Sequence, residues 1–170
     1  FEHLKRLSRL VKICEYSQIN RVLILSILLI DDKNNHEYFG HKYNISNNTK
    51  DSLNLFAKNL RLIKENKDFF NKDLEKNIYL YDKEHLINLN ILNFTINSNI
   101  KPKDFFVNLR KILKSKTHKF TIDGKYLKEH GMQQGLLMGK VLKEIEEKWI
   151  KNNFKINKEE IKEIINLYSN

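Results

Sequence analysis

One proline, Pro102, in a chain of 170 residues leaves little to interrupt helices, and the apolar residues fall at spacings of three and four instead of alternating. Together these features predict an all-α protein, an irregular helical bundle whose turns are marked by asparagine clusters in place of Gly and Pro. The spacing predicts a first helix over residues 2–16, with Leu4, Leu7, Leu10, Val11 and Cys14 on one face and Lys5, Arg6, Arg9 and Lys12 largely off it. A second helix, residues 20–30, is apolar nearly all round, so its neighbours must surround it. Residues 36–45 leave helix and loop both open, and Tyr38, Phe39 and Tyr43 suit packing and contact equally.

Residues 46–49 offer N-cap chemistry for a helix that buries Leu53, Phe56, Ala57, Leu60 and Ile63. Helices over residues 71–81 and 83–96 meet near Asp82. Pro102 suits the first turn of the next helix, where its missing N–H costs nothing, with Phe105, Phe106, Leu109, Ile112 and Leu113 as the apolar stripe. Asn157 and Glu160 read as a capping box that opens a last helix ending near Tyr168. Polar residues over 114–118 interrupt the pattern and divide a helical body, residues 1–115, from a C-terminal tail, residues 116–170.

The longest apolar run, residues 22–30 broken only by Ser26, is about half of the roughly 20 residues needed to cross a bilayer. It reads as a buried helix, and no membrane partner is expected. The only cysteine, Cys14, permits no internal disulfide, and no zinc-ligand spacing is present, which fits a cytoplasmic protein. Phe1 is not an initiator methionine, so the natural protein is expected to extend upstream, and no signal peptide is visible. The net charge of +10 suits a polyanion, because lysines neutralise phosphates and release counterions. An AT-rich coding sequence also yields abundant Lys, Asn and Ile with scarce Arg, Gly and Ala. Charge alone does not choose between these origins.

Four of the five glycines, Gly124, Gly131, Gly135 and Gly139, lie within 16 residues. The local reading is a short helix starting near Asp123, ended by Gly131 as a left-handed cap, then a tight turn and a long helix over residues 134–152. Gly135 and Gly139, one turn apart, would leave a surface on which another backbone can lie closely. Unpaired amides at a helix start can receive an anion such as an RNA phosphate. The competing reading is that the glycines let two helices cross tightly.

The stretch Phe120-Thr-Ile-Asp-Gly124-Lys-Tyr-Leu127, then Gly131-Met132, Gly135 and Gly139-Lys-Val-Leu142-Lys-Glu-Ile145, resembles the C-terminal motif of bacterial tRNA nucleotidyltransferases (CCA-adding enzymes) and their poly(A) polymerase relatives. Trp149-Ile150 and Phe154 continue the likeness, which is strong over residues 120–154. Arg21-Val-Leu-Ile-Leu-Ser-Ile-Leu-Leu29 and Tyr43-Asn-Ile-Ser46 are more faintly similar to body segments. One departure is that Gln134 and Leu136 flank Gly135 where the family usually has prolines.

The resemblance implies RNA 3′-end nucleotidyl transfer by a parent enzyme, with Mg and ATP or CTP held in an N-terminal catalytic head and two metals activating the 3′ hydroxyl and the leaving pyrophosphate. No catalytic residue and no metal ligand is assigned within this chain, which alone is not expected to be active. Asp31-Asp32 lacks the glycine-serine loop of such a head. Asn93-Phe-Thr-Ile-Asn97 is similar to part of a head motif but lacks its arginines and aspartate, and is taken as chance. The resemblance implies that body and tail hold tRNA by shape and backbone, with Lys116, Lys119, Lys125, Lys128 and Lys140 and the turn amides near Gly131 and Gly135 as phosphate contacts. His130 reads as a carbonyl cap and Trp149 as core. Two other classes compete: a helical protein-interaction domain whose glycine turn serves packing, and a metal-dependent phosphohydrolase bundle, for which His36, His41, His85, His118 and His130 show no ligand spacing.

Overall fold

The computed structural model describes residues 2–13, 19–133 and 135–168, and among them every regular element is a helix. The chain divides into two compact units, Phe1–Lys116 and Thr117–Asn170. Cys14, the predicted end of the first helix and Gln134 lie outside the described residues.

The first unit contains α1 (Glu2–Val11), α2 (Arg21–Leu29), α3 (Asn35–Lys42), α4 (Asn47–Glu65), α5 (Leu74–Tyr81), α6 (Lys83–Ile96) and α7 (Pro102–Lys114). Helix α6 is the hub, packing against α1, α2, α4, α5 and α7. Every residue from 88 to 95 is buried, because Leu89, Ile91, Leu92 and Phe94 place apolar groups all round the helix. Two of the polar residues among them, Asn90 and Thr95, bond to neighbouring backbone. Asn90 Nδ2 donates to the Phe105 carbonyl at 3.0 Å, and Thr95 Oγ1 to the Leu92 carbonyl at 2.9 Å. An orphaned buried group of this kind would cost about 1–3 kcal/mol.

Helix α1 departs from its expected orientation. Leu4 and Val11 are 63% and 69% exposed, whereas Arg6 is 5% exposed and lies with Leu10 and Ile13 in the interior. The cause is the demand of helix C-termini for donors. Arg6 Nη1 donates to the carbonyls of Ile27 (3.0 Å) and Ile30 (2.8 Å) at the end of α2, and Nη2 donates to Glu2 Oε1 at 2.8 Å. Arg9 serves the end of α6 in the same way, with Nε donating to Phe94 O at 2.8 Å and Nη2 to Asn97 O and Ile100 O at 3.1 and 2.7 Å. Its guanidinium carbon also lies 4.2 Å from the Phe94 ring centroid.

Residues 36–45 resolve into α3 and a turn, with His36 and Gly40 buried and Tyr38 and Tyr43 exposed. Ser46 caps α4, its Oγ accepting from Thr49 N at 3.3 Å. In that helix Leu53, Phe56, Ala57 and Leu60 are buried and Ile63 is half-buried. Pro102 occupies the first turn of α7, whose buried stripe is Phe105, Leu109 and Ile112. Leu113, expected in that stripe, is 57% exposed and Phe106 is half-buried. Leu113 lies at the edge of the stripe in the last turn of α7.

The second unit contains α8 (Gly124–Glu129), α9 (Leu136–Lys151) and α10 (Lys158–Tyr168), built on Leu127, Met132, Val141, Ile145, Ile161, Ile164 and Ile165. The capping box of α10 is formed: Glu160 N donates to Asn157 Oδ1 at 2.8 Å and Asn157 N to Glu160 Oε2 at 3.0 Å.

Two predictions follow from the first unit. Arg6→Met leaves the carbonyls of Ile27 and Ile30 without their donor, and is expected to lower the unfolding free energy by about 3 kcal/mol, measured by urea denaturation followed by circular dichroism. A loss within error would show that these bonds are dispensable. Burial holds the imidazoles of His36 and His85 below the ordinary value of 6.5. His85 is stacked on Phe56 with centroids 4.6 Å apart, and its Nε2 lies 3.0 Å from Asn59 Nδ2. Because the folded values are depressed, the stability these rings confer is complete above pH 6.5 and is lost as pH falls through the folded values. The melting midpoint should drop from neutral to mildly acidic buffer, and drop less in His85→Gln.

Candidate nucleic-acid interface

The glycine-rich turn is built by two capping events. Asp123 starts α8, its Oδ1 accepting from Tyr126 N at 2.9 Å. At the other end, Met132 N donates to Leu127 O at 3.0 Å and Gly131 N to Lys128 O at 3.1 Å, the paired bonds of a Schellman motif. Gly131 has φ +89°, a conformation that costs an L-residue roughly 1–2 kcal/mol. Leu127 and Met132, the residues that accompany such a motif with an apolar contact, are both in the core of this unit. The left-handed cap expected at Gly131 is therefore present.

The other glycines divide. A Cβ at Gly124 would come 3.1 Å from Met138 Sδ, so this residue lets α8 approach α9. At Gly135 and Gly139 no atom lies within 4 Å of the place a Cβ would occupy. Gly135 has φ 169°, extended backbone that any residue adopts. Among the described residues of this unit, neither close packing at Gly135 and Gly139 nor the backbone angle of Gly135 calls for glycine, so tight helix crossing within the unit does not explain these two positions. The turn is open: Gly131, Gln133, Gly135 and Gly139 are exposed, and Leu136 is 95% exposed.

The expected phosphate contacts are distributed unevenly. Lys125 and Lys128 are exposed on α8, three residues apart and so on one face, and Lys125 lies 4.0 Å from Glu129. Lys140 is exposed in the first turns of α9, and Lys119 is exposed before α8. Lys116 is exposed but belongs to the first unit. Lys143, which the sequence reading passed over, follows Gly135 and Gly139 at intervals of four and extends their face; it lies 3.8 Å from Glu147.

His130 Nδ1 donates to the Tyr126 carbonyl at 2.8 Å and its ring stacks on Tyr126, a carbonyl cap. Trp149 is half-buried within an aromatic group: its ring centroid is 5.3 Å from Phe120 and 4.9 Å from Phe154, and the Phe154 ring stacks on His118 at 3.7 Å. Asn93, Phe94 and Thr95, the part of the chain similar to a head motif, are buried in the hub helix of the first unit.

Charge is not concentrated at this turn. Thr117–Asn170 holds ten lysines and eight carboxylates, so that only +2 of the net +10 resides there; Phe1–Lys116 carries +8. Among the described residues, no group of three or more His, Cys, Asp or Glu side chains is gathered to hold a metal, and no helix is long and apolar enough to cross a membrane. Set against known proteins, the chain matches no family model, no curated protein and no solved structure.

The two classes of glycine make opposite predictions. Gly131→Ala should destabilise the second unit by about 1–2 kcal/mol. Gly139→Ala, in a helix with open space around it, should stabilise α9 by up to about 1 kcal/mol. Chemical denaturation of both variants checks this, and a Gly139→Ala that destabilises would return that glycine to a packing role.

Proposed function

We propose that the chain is the RNA-holding, C-terminal part of a tRNA nucleotidyltransferase or poly(A) polymerase that adds CCA or A residues to RNA 3′ ends. In this reading the chemistry, with its Mg and ATP or CTP, belongs to a catalytic head of the same polypeptide, and the described helices bind the substrate, a tRNA. The observation that carries the reading is the open glycine face at Gly135 and Gly139, where the side chain is missing and nothing among the described residues of the second unit fills the space. A sugar-phosphate backbone can lie against such a face, with the exposed Lys125, Lys128 and Lys140 as ammonium partners for its phosphates. The likeness of residues 120–154 to the family motif supplies the identity of the strand.

A second reading has its own support. Leu136 is 95% exposed and Leu137 48%, beside the same glycines, and an apolar pair at an open helix start also suits a protein partner. The two readings separate on charge and apolar contact. In the RNA reading, Lys125→Glu with Lys128→Glu weakens tRNA binding at least about tenfold and lowers the salt slope by about 2, with the melting curve unchanged, while Leu136→Ser leaves tRNA affinity intact. Filter binding of tRNA against an unrelated acidic polymer at physiological salt is the measurement. Equal affinity for the two would sink the proposal.

A further inference from the structure

Part of the excess positive charge of the first unit, +3 of its +8, is carried by α7. Along α7, Lys103, Val107, Arg110 and Lys114 fall at intervals of four, three and four, and all four are exposed. They form one continuous stripe. Beside the stripe lies a groove of about 730 Å³ between α7 and the start of α5, lined by Lys72, Arg110, Lys111 and Lys114, with Glu75 as its only carboxylate and Val107 among its apolar walls.

The cations are held in different ways. Lys111 Nζ donates to Asn71 Oδ1 across the groove, and Lys72 lies 3.9 Å from Asp68. Arg110 and Lys114 are exposed on the same wall of the groove. Four cations around one concave surface, with a single acid, focus a positive potential into it. The form of the array narrows the ligand. From Lys103 to Lys114 the helix rises about 16 Å at about 1.5 Å per residue, whereas one nucleic-acid strand carries a charge about every 3.4 Å. The row therefore spans about five phosphates. Arg110 adds a planar fork suited to bidentate phosphate contact. A linear row beside a groove fits a strand better than it fits the flatter charge pattern of an acidic protein face.

We infer that the groove between α5 and α7 is a binding site for a nucleic-acid sugar-phosphate strand. The inference stands on the first unit alone and does not need the glycine turn to bind anything.

The test uses the full chain and a fluorescently labelled oligouridylate, with anisotropy measured over a range of salt. Arg110→Glu with Lys114→Glu is expected to weaken binding at least about tenfold and to lower the slope of log affinity against log salt by about 2. Lys158→Glu with Lys162→Glu, exposed on α10, serves as the charge control and is expected to keep its oligouridylate affinity; the turn variant Lys125→Glu with Lys128→Glu is measured alongside on both RNAs. If the charge-reversed groove variant does not fold, Arg110→Gln with Lys114→Gln should show a smaller loss in the same direction. Unchanged oligouridylate affinity in a folded groove variant overturns the site. So does competition by polyglutamate as effective as that by unlabelled RNA, which would mark the groove as a general acidic-partner surface. Loss of tRNA binding only in the groove variant would sink the turn reading and leave this one standing; loss of both RNAs only in the turn variant would do the reverse.

Discussion

An apolar helix buried inside a protein ends in carbonyl groups that no residue of its own can satisfy. Helices α2 and α6 both have this difficulty, since their apolar sequences draw them inward and their C-termini follow. The solution is a pair of guanidiniums on one short helix. Arg6 reaches the end of α2 and Arg9 the end of α6, three residues apart and therefore on neighbouring positions of α1. Each supplies a rigid fork of donors where a lysine would supply one mobile charge. The first helix is thereby fixed to two others, and α6, on which most of that unit packs, keeps its carbonyls satisfied.

Much of the helical plan could be read from residues close together in sequence. Asn20, Ser46, Asp82, Asp123 and Asn157 all accept the backbone N–H of the residue three positions on, in the following helix, a local pattern that sequence spacing exposes. The orientation of α1 could not be read in this way. Its arginines bond to carbonyls between 21 and 91 residues away, and those acceptors exist only once the fold has formed, so Arg6 resembled a solvated charge while Leu4 resembled core. Gly131 was legible because a helix stop demands its backbone angle. Whether Gly135 and Gly139 are crowded or open depends on what the fold brings near them. The groove of the first unit was hidden for a similar reason, since Lys72 and Arg110 are distant in sequence and only the approach of α7 to the start of α5 makes them neighbours.

The two proposed sites differ in how their charge is arranged. The turn near Gly131 offers an open glycine face with a few dispersed lysines, and its Gly131 and Met132 amides are already bonded to Lys128 and Leu127, so in the proposed reading its contribution would come from close approach and those lysines. The α5–α7 groove offers point charges and an arginine fork, so its contribution would fall steeply as counterions compete.

The aromatic group around Trp149 has a practical consequence. It contains the only tryptophan of the chain, packed among Phe120, Phe154 and His118 of the second unit, and Phe154 sits there with a φ of 61°, a backbone angle that a bulky side chain rarely tolerates outside a firmly packed site. Indole emission therefore reports on the smaller unit alone, whereas ellipticity averages over both. If the two signals change at different denaturant concentrations, the halves of this polypeptide melt as separate cooperative bodies.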